Sequence, residues 1–192
     1  MSVPNLCTDR RGSVSIEFVM ISLVLFVLLM FLTDLVIRQA TVGKLDRTAY
    51  SVASLMRERI QLFEGRERLN QQDVDIAAGL ARRMLSDMHS KADLSRLQIH
   101  VEEMHFKDPT GQTDLRKEIQ TYARWNNGKE GAQCLPPEPL TNQLQLTPRG
   151  SYGRWVPLYQ VTVCLPTTSW FVRLFAGEEN PLLTSFAIVM LR

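Results

Sequence analysis

The stretch "HVEEMH" contains the first side chains whose types suggest chemistry. His100, Glu102 and His105 could be imagined around a metal ion, because imidazole and carboxylate groups both bind zinc. His100 and Glu102 share one face of a predicted strand, but no Cys or Asp joins them at a familiar ligand spacing. The pattern therefore favours a polar strand face in contact with water, and we predict no metal site.

The common catalytic and nucleotide-binding motifs do not occur in the sequence. It contains no GxGxxG, GxxxxGK[ST], HExxH or GxSxG, which excludes the best-known phosphate, zinc and nucleophile signatures. The formal net charge is only +2, and acidic and basic residues are mixed along the chain. We therefore predict a protein that is not an enzyme, needs no cofactor and binds no nucleic acid.

The three cysteines divide unevenly along the chain. Cys7 precedes the most apolar segment, whereas Cys134 and Cys164 follow it. In an oxidising compartment the latter two could form a disulfide that closes a loop of about 30 residues and stabilises the fold by roughly 3 to 4 kcal/mol. The alternative is a pair of buried free thiols.

Glu17 lies at the beginning of the most apolar segment. From residue 18 to residue 32 the only polar side chain is Ser22. Extended outward to Val14 and Ile37, the segment has about 24 residues, or roughly 36 Å of helix, which is enough to span a bilayer core. A carboxylate in hydrocarbon costs about 2.5 to 3.5 kcal/mol at mid-bilayer and less near the edge, so its presence needs a reason.

A cleaved secretory signal is the alternative explanation of this segment. The segment is longer than the usual apolar region of such a signal, an acid stands at its start, and no small-residue cleavage site follows directly. We therefore predict a retained membrane helix. Arg10 and Arg11 favour a cytoplasmic N-terminus, and long domains translocate largely regardless of their charge. The domain that follows is expected on the other side.

Helical periodicity continues beyond the apolar segment. One face collects Leu45, Ala49, Val52, Met56, Ile60 and Phe63. We predict one long helix over residues 14–64, with Gly65 as its stop and Gly43 as a place where it could bend. A second amphipathic helix is predicted over residues 71–90, with Asn70 as its N-cap.

Alternating apolar residues predict strands in the C-terminal half. They occur in "LQIHVEEM" and in "VPLYQVTVCL", where Pro157 suggests an edge strand, and "TSFAIVMLR" is a third, largely buried strand. Turn-forming residues predict loops at "KDPTGQTD", "WNNGKEGAQCLPPEP" and "TPRGSYG". The fold class is α+β: a long N-terminal helix followed by a small mixed α+β domain.

The N-terminal residues resemble the class III signal of type IV prepilins and pseudopilins. Gly12 is followed by Ser13, Glu17 is fifth when Ser13 is counted as first, and Phe18 begins the apolar helix. In that superfamily a prepilin peptidase cuts after the glycine on the cytoplasmic side. The "GSVSIEF" form, the short leader and the length are most similar to TadF-type pseudopilins of the tight adherence pilus, with TadE the nearest alternative.

The resemblance implies a division of the chain and roles for three residues. The expected parts are a cytoplasmic leader (1–12), a transmembrane helix (13–37), an amphipathic helix extension (38–64) and a periplasmic α+β domain (65–192). Cleavage is expected between Gly12 and Ser13. In assembled pilins the glutamate at the corresponding position pairs with the N-terminal amine of a neighbouring subunit, and the resemblance implies this role for Glu17.

The same resemblance implies a minor pilin or pseudopilin that assists the biogenesis of adhesive Tad (Flp) pili, and thereby cell adhesion and biofilm formation. Its expected partners are the prepilin peptidase, TadE-like and Flp-like subunits, the Tad assembly platform and the inner membrane. Two alternatives stay open. One is a type II secretion pseudopilin, and the other is a single-pass scaffold or sensor that is never cut at Gly12.

Overall fold

A computed structural model describes residues 11–58, 68–88, 94–111, 115–127, 134–166 and 182–190. Within these residues the fold contains two α-helices and four strands: α1 (Arg11–Arg57), α2 (Gln71–Met88), β1 (Gln98–Phe106), β2 (Ile119–Asn127), β3 (Leu158–Pro166) and β4 (Leu182–Met190). Short 3₁₀ helices occupy Leu94–Arg96, Leu140–Asn142 and Leu144–Leu146. The α+β class predicted from the sequence is confirmed.

Helix α1 contains 47 residues and continues without a break through Gly43. Its sequence is dominated by straight-chain and branched apolar residues, and it contains no proline. The predicted long helix is thus present over the part of it that the structure describes. The predicted end of the helix, at residues 64 and 65, lies outside the described residues.

Helix α2 begins with a reciprocal cap. The Oδ1 atom of Asn70 accepts a hydrogen bond from the backbone N–H of Asp73 (2.8 Å), and Oδ2 of Asp73 accepts one from the N–H of Asn70 (3.0 Å). The two side chains satisfy backbone donors that have no partner within a first helical turn. The prediction that Asn70 caps this helix is confirmed, while residues 89 and 90 lie outside the described part.

The four strands form one antiparallel sheet in the order β2-β1-β3-β4. Strands β1 and β3 lie where alternation predicted them, and β4 lies at the predicted third strand. The prediction that this third strand is largely buried is wrong, because β4 is an edge strand with only three of its nine residues buried. Strand β2 was not predicted, and the loop predicted at residues 125–127 is wrong because these residues belong to β2. The edge position suggested by Pro157 is also wrong. Strand β3 begins one residue later and lies between β1 and β4, so the missing N–H of Pro157 does not interrupt the ladder.

The two faces of the sheet are covered by different parts of the chain. On the helix face, α1 and α2 pack against alternate strand residues such as Ile99, Val101 and Val161, all at most 1% exposed. The opposite face, called the loop face here, packs Met104 and Leu158 against the connection between β2 and β3. We call residues 134–147 of that connection the cover segment. The central strands β1 and β3 are therefore buried on both faces, whereas the edge strands β2 and β4 remain partly exposed.

Candidate functional site: the apolar helix and the domain it carries

The first half of α1 exposes a continuous apolar surface. From Ile16 to Ile37 its large apolar side chains are 41% to 71% exposed. The most apolar window has a mean hydropathy of 2.7, and none of it is buried within the chain. Among the described residues α1 is the one helix long and apolar enough to cross a membrane. A surface of this size needs a second apolar phase, either lipid or other subunits.

The residues of the expected processing and assembly site lie together at the start of α1. Gly12 and Ser13 belong to its first turn, and Glu17 follows about 6 Å farther along the axis than Ser13 at 1.5 Å per residue. The side chain of Glu17 is exposed. Residues 1–10, which include Cys7 and most of the expected leader, lie outside the described part of the chain.

The second half of α1 is packed against the domain. Its buried apolar side chains are at most 3% exposed: Leu45, Ala49, Val52, Ala53 and Met56. The hydroxyl of Ser185 on β4 also donates a hydrogen bond to the carboxylate of Asp46. One uninterrupted helix therefore joins the apolar anchor to the sheet.

Glu102 on β1 is buried under the cover segment with three donors around it. The Nε2–H of His100 donates to its Oε1 atom (3.2 Å), and so does the hydroxyl of Tyr122 (2.8 Å). The backbone N–H of Leu140 donates to Oε2 (2.7 Å). Because Glu102 is 3% exposed and His100 is fully buried, the predicted water-exposed polar face is wrong. The cover segment, distant in sequence, removes this face from water.

The surroundings of Glu102 shift two pKa values. Burial by itself raises the pKa of Glu102, but the hydrogen bonds from His100, Leu140 and Tyr122 and the positive charge of His100 outweigh burial, so its pKa is lowered from the ordinary 4.5. Burial, followed by the hydrogen bond to Glu102 and its negative charge, raises the pKa of Tyr122 to about 12. Glu102 therefore stays ionised at neutral pH, and both of its carboxylate oxygens remain hydrogen-bond acceptors.

Glu103, the next residue, repeats this arrangement on the helix face. Its Oε2 atom accepts the backbone N–H of Leu69 (3.0 Å), and its Oε1 atom accepts the Tyr159 hydroxyl (3.3 Å) and the Nε2–H of His105. Glu103 is 2% exposed. Two adjacent carboxylates thus fix the segments before α2 and between β2 and β3, on opposite faces of one strand.

A disulfide joins the cover segment to β3. The sulfur atoms of Cys134 and Cys164 are bonded, and their Cα atoms are 5.7 Å apart. Cys164 lies inside the strand ladder opposite Gln98 of β1. The structure therefore brings together the two cysteines that the sequence had left as either a disulfide or two free thiols.

The far end of the cover segment is held by a lysine. The ammonium of Lys117 donates to the carbonyl oxygens of Leu144 (2.8 Å) and Thr147 (2.9 Å), and it lies 5.2 Å from the centre of the Trp155 ring. These contacts satisfy carbonyls at the end of a 3₁₀ helix and add a cation–π interaction. The sequence showed Lys117 only as one basic residue among many.

The buried polar groups fit a structural role. Among the described residues, no group of three or more His, Cys, Asp or Glu side chains could hold a metal ion. Within the same residues, both buried glutamates already accept three hydrogen bonds from the chain itself. A carboxylate saturated in this way has little capacity left for a ligand. Among the described residues, the apolar half of α1 instead remains exposed along its length.

A helix long and apolar enough to cross a membrane, continuing into an antiparallel α+β domain, is consistent with a protein anchored by a single N-terminal helix. The sequence matches the TadF family, described as "putative tight adherence pilin protein F", over residues 5–192. The chain therefore belongs to the TadF family and is a pilin component of the Tad pilus. No curated protein and no solved structure gave a significant match.

Proposed function

We propose that this chain is a minor pilin or pseudopilin that assists the biogenesis of adhesive Tad pili. The observation that carries the proposal is the continuity of α1. Its exposed apolar half suits the lipid or the helical core of an assembly, and its packed half holds the domain outside that layer. The match to the TadF family over nearly the whole chain supports the Tad pilus as the system in which the chain acts.

The proposed topology has a cytoplasmic N-terminus and a periplasmic domain. Arg10 and Arg11 would hold the N-terminus at the anionic inner surface. The Cys134 to Cys164 disulfide supports an oxidising location for the domain, because such bonds persist mainly outside the cytosol. Residues 13–37 would then cross the inner membrane, residues 38–64 would extend the helix, and residues 65–192 would form the periplasmic domain.

Cleavage between Gly12 and Ser13 is the proposed activating step. It removes the leader and creates an ammonium group about one helical turn before Glu17. An anion is favoured in the first turns of a helix, and a carboxylate near hydrocarbon is stabilised by a charge partner. The proposed partner of Glu17 is the new N-terminal ammonium of an adjacent subunit, TadE-like or Flp-like.

The mass of the N-terminus tests this function. Membranes from cells with and without the prepilin peptidase should contain, respectively, a chain beginning at Ser13 and a chain that retains residues 1–12. Gly12→Leu should keep the uncut form in both, because a bulky side chain crowds the peptide bond that the peptidase must approach. Alanine at the same position is the matched control and should still be cut in part.

Two results would contradict the proposal in different ways. Uncut wild-type chain in cells with an active peptidase would favour a single-pass scaffold or sensor. Correct cleavage, with recovery in type II secretion complexes instead of Tad complexes, would favour a secretion pseudopilin. Cross-linking and mass spectrometry of the membrane complex would separate these outcomes by identifying the neighbouring subunits and the assembly platform.

A further inference from the structure

The cover segment is attached to the loop face by contacts that do not depend on the disulfide. The carbonyl of Glu138 accepts a hydrogen bond from Nε2 of Gln160 (3.2 Å). The N–H of Leu140 donates to Glu102 (2.7 Å), and the Leu140 side chain is fully buried. Both attachments lie within six residues of Cys134.

We propose that Glu102 is a positioning residue for disulfide formation. Its carboxylate docks the backbone of Leu140 on the loop face, and this docking holds Cys134 beside Cys164 while both are still thiols. Glu102 takes no part in the sulfur chemistry. By docking Leu140, Glu102 raises the effective concentration of the Cys134 thiol at the Cys164 thiol.

The geometry explains why a docking residue is needed on one side only. Cys164 is fixed by its place in β3, where both neighbouring strands pair with it. Cys134 lies in an irregular segment, so its position depends on side-chain contacts and burial. Closing a loop of about 30 residues has a large entropic cost. Each contact that forms before the disulfide reduces the entropic cost that remains when the disulfide itself forms.

Glu102 is suited to this task because it is itself held in place. His100 and Tyr122 donate to one of its oxygens and leave the other directed at Leu140. A hydrogen bond to a buried, ionised acceptor is about twice as strong as one between neutral groups. The contact therefore orients the backbone of the cover segment without any contribution from sulfur.

The oxidation step needs an external disulfide as the electron acceptor. One cysteine thiolate attacks that disulfide, forms a mixed disulfide and releases one thiol. The second cysteine thiolate then attacks the protein sulfur of the mixed disulfide, forms the Cys134 to Cys164 bond and releases the second thiol. The two cysteines lose two electrons and two protons in total, and the external disulfide becomes two thiols.

The test measures this equilibrium in a glutathione buffer. Full-length protein in mild detergent is equilibrated at several ratios of reduced to oxidised glutathione, free thiols are alkylated, and the linked and unlinked peptides are quantified by mass spectrometry. Glu102→Gln should lower the equilibrium constant for the bond by about tenfold, because the charged acceptor becomes a neutral one. Tyr122→Phe, which keeps the carboxylate but removes one support, should lower it by about threefold.

Glu103→Gln is the matched control. Glu103 is equally buried and also accepts from a histidine, a tyrosine and a backbone N–H, but it holds Leu69 on the helix face. The Glu103→Gln variant should keep the equilibrium constant for the disulfide within about twofold of wild type. Its free energy of unfolding should fall as much as that of Glu102→Gln. Equal constants for wild type and Glu102→Gln would overturn the inference. So would an equal decrease in both Gln variants, which would point to general loosening.

If Glu102→Gln does not fold, the equilibrium constants of Tyr122→Phe and Glu103→Gln are compared instead. A decrease in Tyr122→Phe that exceeds the decrease in Glu103→Gln supports the inference, and equal constants for Tyr122→Phe and wild type overturn it. The inference does not rest on the proposed pilus function. A redox buffer replaces the compartment, so failure of Gly12 cleavage in cells would leave this result unchanged.

Discussion

The two halves of α1 carry similar apolar side chains in opposite surroundings. Leu25, in the first half, is 54% exposed, whereas Leu45, in the second half, is fully buried against the sheet and α2. The helix between them is continuous. Leucine in the second half thus stabilises the domain. Leucine in the first half is exposed in the isolated chain and is available to an outside partner.

The carboxylates follow the same division. Glu17 is exposed beside the apolar half, while Glu102 and Glu103 in the domain are buried and accept hydrogen bonds from the chain itself. A buried carboxylate with several donors is a local structural feature. An exposed carboxylate beside a membrane-length apolar surface points to a partner that arrives from another molecule. The comparison therefore separates residues that build the domain from residues expected to build the assembly.

The largest effect is expected from Glu17→Gln, which removes the charge and nearly preserves the size. The chain should still insert into the membrane and be processed substantially, but a deletion strain complemented with it should lose most surface pili. Glu17→Asp should rescue poorly because its shorter side chain misses the ammonium group. Electron microscopy of surface pili and an adherence assay measure the outcome.

Glu58→Gln, one residue past the end of the same helix, is the control for this change. Glu58 is exposed and pairs at 3.3 Å with the partly exposed Arg57, and an ion pair this close to water contributes little. Normal pili are expected from it. Normal pili from Glu17→Gln as well would show that the charge is dispensable, and the role assigned to Glu17 would have to be abandoned.

The second effect concerns apolar packing. Leu45→Ala should lower the free energy of unfolding by about 2 to 5 kcal/mol, because it leaves a cavity between α1 and the sheet. Leu25→Ala in the exposed half should change it by at most about 0.5 kcal/mol. Guanidinium unfolding in detergent, followed by the fluorescence of the three tryptophans, all of which follow α1 in the sequence, measures both. Equal losses would mean that the apolar half of α1 also packs within the subunit.

Local patterns predicted most of the fold. The apolar run and its helical continuation predicted α1, and the Asn70 cap predicted the start of α2. Period-two alternation predicted β1 and β3, and the apolar C-terminal stretch predicted β4. Strand β2 escaped prediction because its nine residues, "IQTYARWNN", are half-exposed and polar. Its position is determined by pairing with β1, which is a tertiary contact.

The site could be predicted where its chemistry depends on neighbours in sequence. The spacing of Gly12, Ser13 and Glu17 is local, so the N-terminal motif alone suggested its role. The environment of Glu102 is different, since Leu140 lies 38 residues away and covers it only after folding. A local sign was available only for the neighbouring Glu103: it follows Leu97, Ile99 and Val101 on the same apolar face, so its carboxylate requires a buried partner.

The third effect is a dependence of stability on pH that originates in the domain. The folded pKa of Glu102 lies below its ordinary value of 4.5, so at acidic pH the unfolded chain binds more protons than the folded chain. The stability contributed by Glu102 is therefore complete above about pH 4.5 to 5 and is lost as the pH falls through the lower folded pKa. Urea unfolding from pH 7 to pH 3 should show a steeper decrease for wild type than for Glu102→Gln. Parallel curves would exclude Glu102 as a source of this dependence.

The smallest effect tests the polar contact that fixes α1 to the edge strand. Ser185 is 3% exposed, and its hydroxyl donates to Asp46, whose carboxylate is near water. Ser185→Ala removes the donor and leaves an acceptor that water can reach, so the loss should be about 1 kcal/mol and well below that of Leu45→Ala. Ser86→Ala on α2, where an exposed hydroxyl donates to the carbonyl of Arg83, is the control and should change stability by at most about 0.5 kcal/mol. A loss from Ser185→Ala as large as that from Leu45→Ala would mean that this one hydrogen bond holds α1 to the sheet as strongly as the apolar packing of Leu45 does.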